Sequence, residues 1–218
     1  MTAVLDARSL YRFFRAGDEE TLALQGVSLS LAVGELVAVT GPSGSGKSTL
    51  LACLAGTDEP DGGTVRISGQ RLSHQPEVIR ARMRAEYIGL LFQSGNLFAH
   101  LTVLQNVRLV QSLARRRRPA LDVLDSLGIG HRAYATPGQL SGGELARAGL
   151  AVALANEPAV LLADEPTGEL DSGTERHVLD LLAARTRDGV AVLIASHSPA
   201  VVRRADRVVA LVDGRIAA

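Results

Sequence analysis

The sequence predicts an α/β fold built on a largely parallel sheet, and three observations carry that expectation. Short β-rich runs alternate with stretches of helical period along the chain, the order that lays helices on both faces of a sheet. Three of the runs, GELVAVTG (34–41), AVLLADEP (159–166) and AVLIASHS (191–198), are apolar along most of their length and end in glycine, acids, or Ser196 and His197. Buried parallel strands read this way, and open α/β sheets place their ligands at the carboxyl ends of such strands. Apolar residues make up 46% of the 218, enough for a sheet buried on two sides, while 21% charged residues leave an ordinary surface.

The elements follow in order. The first twenty residues carry scattered charges and no continuous apolar core, so they do not read as a signal peptide and the mature chain is expected to begin here. VSLSLAVGE, and later TVRISGQ (64–70), alternate small polar and apolar residues as half-exposed antiparallel strands do, which predicts a β-subdomain beside the main sheet. Between residues 101 and 156 leucines and valines recur at spacings of three and four through VLQNVRLVQSLA and ALDVLDSLG. We expect a helical subdomain over about residues 97–156, inserted into a single domain of residues 1–218. The tail RVVALVDGRIAA holds Asp213-Gly214 between two apolar runs, a hairpin pattern. Residues 115–118 are all arginine and read as a solvated connection ahead of Pro119.

Composition narrows the function. Lys plus Arg and Asp plus Glu balance at 23 each, so the chain lacks the basic field that nucleic-acid binding uses. No stretch reaches the roughly 18–20 apolar residues of a spanning helix. The richest, LAVALANEPAVLLAD, is broken by Asn156, Glu157 and Pro158, so membrane association is expected to come through a partner. The single cysteine, Cys53, lies in LLACLAG and reads as buried packing in a reducing compartment.

The residues that carry chemistry come next. GPSGSGKST fits G-x-x-x-x-G-K-[ST] and stands between an expected strand and an expected helix. Gly44 and Gly46 let the backbone curl so that its N–H groups face inward, and the following helix points its positive end at the same place, which suits a phosphate. Gly41, Ser43, Gly44, Ser45, Gly46, Lys47, Ser48 and Thr49 are the candidate ATP contacts. Lys47 would meet the β- and γ-phosphates and Ser48 would ligate Mg²⁺. Asp164 and Glu165 emerge together at the end of a buried strand; Asp164 suits the Mg²⁺ shell and Glu165 suits a group that polarises the attacking water. LSGGE (140–144) precedes another helical run, with Ser141 as an N-cap and Gly142 and Gly143 leaving backbone amides uncovered, a second anion site.

Phosphate loop, acidic strand end and Ser-Gly-Gly helix start, in this order, resemble the nucleotide-binding domains of the ABC superfamily over nearly the whole chain. The resemblance implies a P-loop NTPase fold: a mixed sheet core with an antiparallel β-subdomain and a helical subdomain. It implies that LSGGE is the signature motif, with Glu144 at the usual glutamine, and that Ser141, Gly142, Gly143 and Glu144 complete the ATP site of an opposite subunit. Gln93 in GLLFQSGN matches the Q-loop glutamine, which touches Mg²⁺ and relays the nucleotide state to a membrane subunit. Asp171 in EPTGELD matches the D-loop aspartate of the dimer interface, and His197 matches the H-loop histidine near the γ-phosphate. Phe14 aligns with the aromatic residue that stacks on adenine, with Tyr11 and Phe13 as competitors.

Within the superfamily, YIGLLFQSGNLFAHLTVLQNV and LLADEPTGELD look most like the subunits that power lipoprotein release, macrolide-type efflux and FtsE-like cell-division systems. The implied function is an ATPase that dimerises on ATP and drives a separate membrane permease from the cytoplasmic face of the cell membrane. The segment 94–106 is expected to form the groove that receives the permease. Ala146 and Val152 depart from the usual glutamine and arginine of the signature helix, though Arg147 remains, and Gly95 and Gln105 replace an aromatic and an acid. Soluble ABC-type proteins that act on ribosomes or DNA carry two such domains or long coiled coils, and this sequence shows neither. A module that holds ATP without turnover is disfavoured by Glu165 and His197.

Overall fold

The computed structural model describes residues 3–16, 19–114 and 118–217; residues 115–117 of the arginine run lie outside them. In chain order the elements begin with strands β1 (Ala3–Ala16), β2 (Glu19–Ala32) and β3 (Leu36–Thr40), then helix α1 (Lys47–Ala55) and strands β4 (Gly62–Ile67) and β5 (Gln70–Arg71). Helix α2 (Glu77–Tyr87), strand β6 (Ile88–Leu91) and helices α3 (Val103–Gln111), α4 (Ala120–Asp125) and α5 (Gly142–Ala153) follow. Strand β7 (Val160–Asp164), helix α6 (Ser172–Arg187), strand β8 (Ala191–Ala195), helix α7 (Pro199–Arg204) and the hairpin β9 (Arg207–Val212) and β10 (Arg215–Ile216) close the chain.

The main sheet has the order β10-β9-β3-β8-β7-β6, parallel except for the β9–β10 hairpin. A second, antiparallel sheet has the order β2-β1-β4-β5. Register aligns the carboxyl ends of the central strands: Val39 and Asp164 both pair with Ala195, so whatever follows these strands meets at one edge.

Side-chain alternation divides the interior into two cores. Val37, Val39, Val160, Leu162, Leu193 and Ala195 point to the face covered by α1 and the antiparallel sheet. Leu36, Ala38, Leu161, Ala163, Val192 and Ile194 point to the face covered by helices of the 103–204 region. Their consecutive apolar residues follow from burial on both sides. Cys53 belongs to the first core at 1% exposure, and burial, with the negative charge of Asp58 adding to it, pushes its thiol up to about 12.

Helix α3 starts from a reciprocal cap in which Gln105 Nα donates to Thr102 Oγ1 and Thr102 N to Gln105 Oε1. Buried Asn106 then latches the preceding turn, accepting from Phe98 N at 2.7 Å and donating to the carbonyls of Phe98, Leu101 and Thr102. Among the described residues no helix is long and apolar enough to cross a membrane.

Candidate active site

Residues 41–46 make a tight loop from β3 into α1, and its glycines are fixed by what surrounds it. Gly46 has φ +99°, and a Cβ there would fall 2.4 Å from the Ala23 carbonyl oxygen on β2. At Gly41 a Cβ would fall 2.1 Å from the Leu211 carbonyl oxygen on β9. Any side chain at either position would force the loop off its neighbours. Helix α1 has no side-chain cap and no acid in its first turn, so its leading amides keep their positive character. The Lys47 ammonium donates to the Gly41 and Pro42 carbonyls at 2.9 Å each, which holds the charge at the loop.

A cavity of about 780 Å³ opens over this loop. Gly41, Ser43, Gly44, Gly46, Lys47, Ser48 and Thr49 line it together with Asp164, Glu165, His197 and Phe14. Ser45 does not: it is 2% exposed, below the loop surface. Of the three neighbouring aromatics only Phe14 faces the cavity, since the Tyr11 ring lies against Gly26 and Gly62. Residues of β2 and of the β9–β10 turn also line the cavity, among them Gln25 and Gly214. Gln25 N donates to the Gly214 carbonyl at 2.8 Å, and Gly214 N donates to the Ser45 carbonyl at 3.1 Å, so the turn is tied to the loop.

Glu165 adopts φ +44°, a costly backbone state for a residue with a Cβ. Its neighbours hold it there. Its N–H donates to the Ala195 carbonyl, Oε2 accepts from Ser196 Oγ at 2.8 Å, and Oε1 accepts from His197 N and lies 2.8 Å from His197 Nδ1. With the carboxylate ionised, that last contact puts a proton on Nδ1, and Nε2 is the second polar atom of an exposed ring. Ser198 extends the network: its N–H donates to Ser196 Oγ, and its hydroxyl donates to Glu175 Oε1 at 2.6 Å. Buried Thr167 donates to the same Glu175 oxygen, so one carboxylate on α6 ties the turns after β7 and β8 together.

The remaining sequence-predicted residues lie elsewhere. Gln93 donates to Glu169 Oε1 at 3.1 Å and lines a neighbouring groove of about 250 Å³ with Phe92, Leu97, Gly142 and Leu170. Ser141 caps α5 as expected, and Glu144 closes the box: its Oε2 accepts from Ser141 N at 2.8 Å and its N–H donates to Ser141 Oγ. Arg132 lies 3.3 Å from the same carboxylate. Glu144 is held below the ordinary carboxylate range, first by the Ser141 N–H and then by the Ser141 hydroxyl and Arg132. Asp171 caps α6 through Gly173 N, Thr174 N and Thr174 Oγ1, and the Thr174 hydroxyl leads in lowering its pKa. Ala146 and Val152 pack, half-buried, against the second core, which accounts for apolar residues there.

Gln25 and Glu175 carry no motif in the sequence that marks them as site residues; Ser196 reads as a strand end and Asp213-Gly214 as a hairpin, yet Ser196 holds Glu165 and the hairpin turn lines the cavity.

The family model described as ABC transporter matches residues 24–168. The lipoprotein-releasing system ATP-binding protein LolD of Gluconobacter oxydans is 41% identical over 220 residues, covering 98% of this chain and 95% of that protein. The macrolide export ATP-binding/permease protein MacB of Photorhabdus laumondii is 39% identical over 99% of this chain; the chain spans only 34% of that longer relative. Among solved structures, dimeric MJ0796, a bacterial ABC transporter cassette, superposes with a TM-score of 0.91 at 34% identity, over 98% of this chain and 97% of that one. A post-hydrolysis dimer of the same cassette bound to ADP and Pi matches equally well.

Proposed function

Because this chain belongs to the ABC transporter family, we propose that it is the ATP-binding and ATP-hydrolysing subunit that drives a membrane permease carried by another chain. The observation that carries this reading is the convergence of the phosphate loop, Asp164, Glu165 and His197 on one cavity. Lys47 and the first amides of α1 would hold the β- and γ-phosphates, and Phe14 would offer its ring to the adenine. Glu165, fixed by Ser196 and His197, is the group that polarises the attacking water, with the open Nε2 of His197 beside it.

Magnesium suits the donors present. Ser48 and Asp164 line the same cavity with hard oxygen atoms, and Mg²⁺ is ordinarily held by one or two carboxylates together with phosphate oxygens. Bound there, it would neutralise charge on the phosphates during transfer. Gln93 stands outside this donor pair and lines the neighbouring groove with residues 94–97, where a relay to the permease belongs.

A second copy of the chain is the partner we favour, with Ser141, Gly142, Gly143 and Glu144 facing the opposite ATP and Asp171 at the interface. The dimeric arrangement of the MJ0796 cassette supports this. We read residues 97–156 as a helical unit inserted in a RecA-like core. By likeness to LolD and MacB, we place the chain at the cytoplasmic face of the membrane, held by the permease. Nothing in the comparisons favours action on ribosomes or DNA.

The test is equilibrium ATP binding with phosphate release on the purified chain. Lys47→Ala removes the Lys47 ammonium from the cavity wall and should abolish tight binding. An affinity within about threefold of the parent, the span of ordinary context effects on a single contact, would reject the site.

A further inference from the structure

We infer that Arg12 is a positioning residue for the nucleotide base: it braces the far face of the Phe14 ring and couples that ring to the helix that grips the phosphates. The inference rests on the reading of Phe14 as the adenine platform given above. Arg12 stands two residues before Phe14 on β1, and its guanidinium carbon lies 4.8 Å from the Phe14 ring centroid. That is within the range of a cation–π contact. Phe14 lines the cavity and Arg12 does not; with the cation behind the ring, its other face is left for a planar base.

The guanidinium itself is held on two sides. Arg12 Nε and Nη2 donate to the two oxygens of Asp58 at 2.9 and 2.8 Å, and Nη1 donates to Asp61 at 3.1 Å. A forked pair of this kind fixes orientation as well as distance. Asp58 is in turn anchored to α1, its N–H donating to the Ala52 carbonyl. Asp61 accepts from Phe13 N at 2.9 Å and donates its own N–H to the Tyr11 carbonyl. An unbroken series of contacts therefore runs from α1, whose first turn faces the phosphates, through Asp58 and Arg12 to the ring. The spacing between base and phosphate subsites is set by this series. A surface ion pair that merely fastens β1 to the 58–61 turn would not need to sit under an aromatic ring.

Calorimetric titration of the purified chain with ATP and, separately, with inorganic tripolyphosphate tests the inference. Arg12→Gln should weaken ATP by about three- to tenfold, the span of a partly exposed cation–π contact, and leave tripolyphosphate unchanged. Asp58→Asn, which keeps Arg12 but loosens its fork, should shift ATP in the same direction and spare tripolyphosphate. In a Phe14→Ala background Arg12→Gln should cost nothing more. Equal weakening of both ligands, losses that add to Phe14→Ala, or an unchanged Arg12→Gln beside a weakened Phe14→Ala would each overturn the role of Arg12. If Phe14→Ala itself binds ATP like the parent, the reading of Phe14 as the platform fails instead.

Discussion

The Nδ1 of His197 stands 2.8 Å from Oε1 of Glu165, and the two residues come from turns that follow neighbouring parallel strands. Replacing Glu165 by glutamine keeps the shape of the side chain but presents an amide to three donors where a carboxylate accepted from all of them. Turnover should fall by at least about a hundredfold while ATP binding persists, the lower end of a general-base effect. In light scattering the variant should run as a dimer with Mg-ATP and as a monomer without nucleotide. Adding Ser141→Arg should abolish that dimer by filling the amide nest at the start of α5; normal hydrolysis by Glu165→Gln would move the base elsewhere.

Ser196 separates positioning from binding. Its buried hydroxyl donates to Glu165 and accepts from Ser198 N, so Ser196→Ala leaves the carboxylate with His197 alone on its free side. A hydrogen bond to a charged group is worth about 1.5–3 kcal/mol, so kcat should drop about tenfold or more with the KM for ATP little changed. A rise in KM at constant kcat would show that Ser196 serves binding.

Glu144 gives a pH signature. Its pKa is lowered in the folded chain, so its contribution to stability is present above the ordinary glutamate value and is lost as pH falls through the depressed one. Glu144→Gln keeps an oxygen to accept from Ser141 N but loses the charge facing Arg132 and His131. The parent should melt above the variant at neutral pH, and the difference in Tm should close as the solution is acidified. A difference that stays constant to acid pH would assign the effect to shape.

Asn106 should govern the groove from a distance. Asn106→Ala strips the turn at 98–102 of its side-chain bonds, and each polar group left buried and unmatched costs about 1–3 kcal/mol. The denaturant midpoint should fall accordingly. Single cysteines at Leu97 and exposed Phe98 should cross-link to the permease in the parent and less efficiently beside Asn106→Ala. Adducts elsewhere with none here would reject the groove.

The parts legible in the sequence were those whose residues are neighbours in the chain. The phosphate loop is nine consecutive residues, and β3, β7 and β8 announce themselves by burial on both faces. Helix α2 leaves little signal in the sequence because EVIRARMRAEY is mostly polar and buries only Met83, and β6 little because four residues show no period. Alternation alone does not sort the aromatics of β1, since register shifts at Leu10/Tyr11 and Arg12/Phe13 break it; Phe14 stands out from Tyr11 and Phe13 by the family resemblance. Gln25 and Glu175 were out of reach for another reason. Gln25 meets Asp213 across 188 positions, a proximity that only the strand order creates.

That strand order also sets when the site can exist. Among the described residues strand β3, which delivers the phosphate loop, pairs with β8 and β9 alone. Both of its neighbours are synthesised after residue 190, about 150 positions later than β3 itself. Until then the loop-bearing strand has no partner on either edge, and closing it demands contacts between distant segments, which are slow to form. A nascent chain thus carries the complete phosphate-loop motif about 150 positions before the strands that flank β3 in the finished sheet.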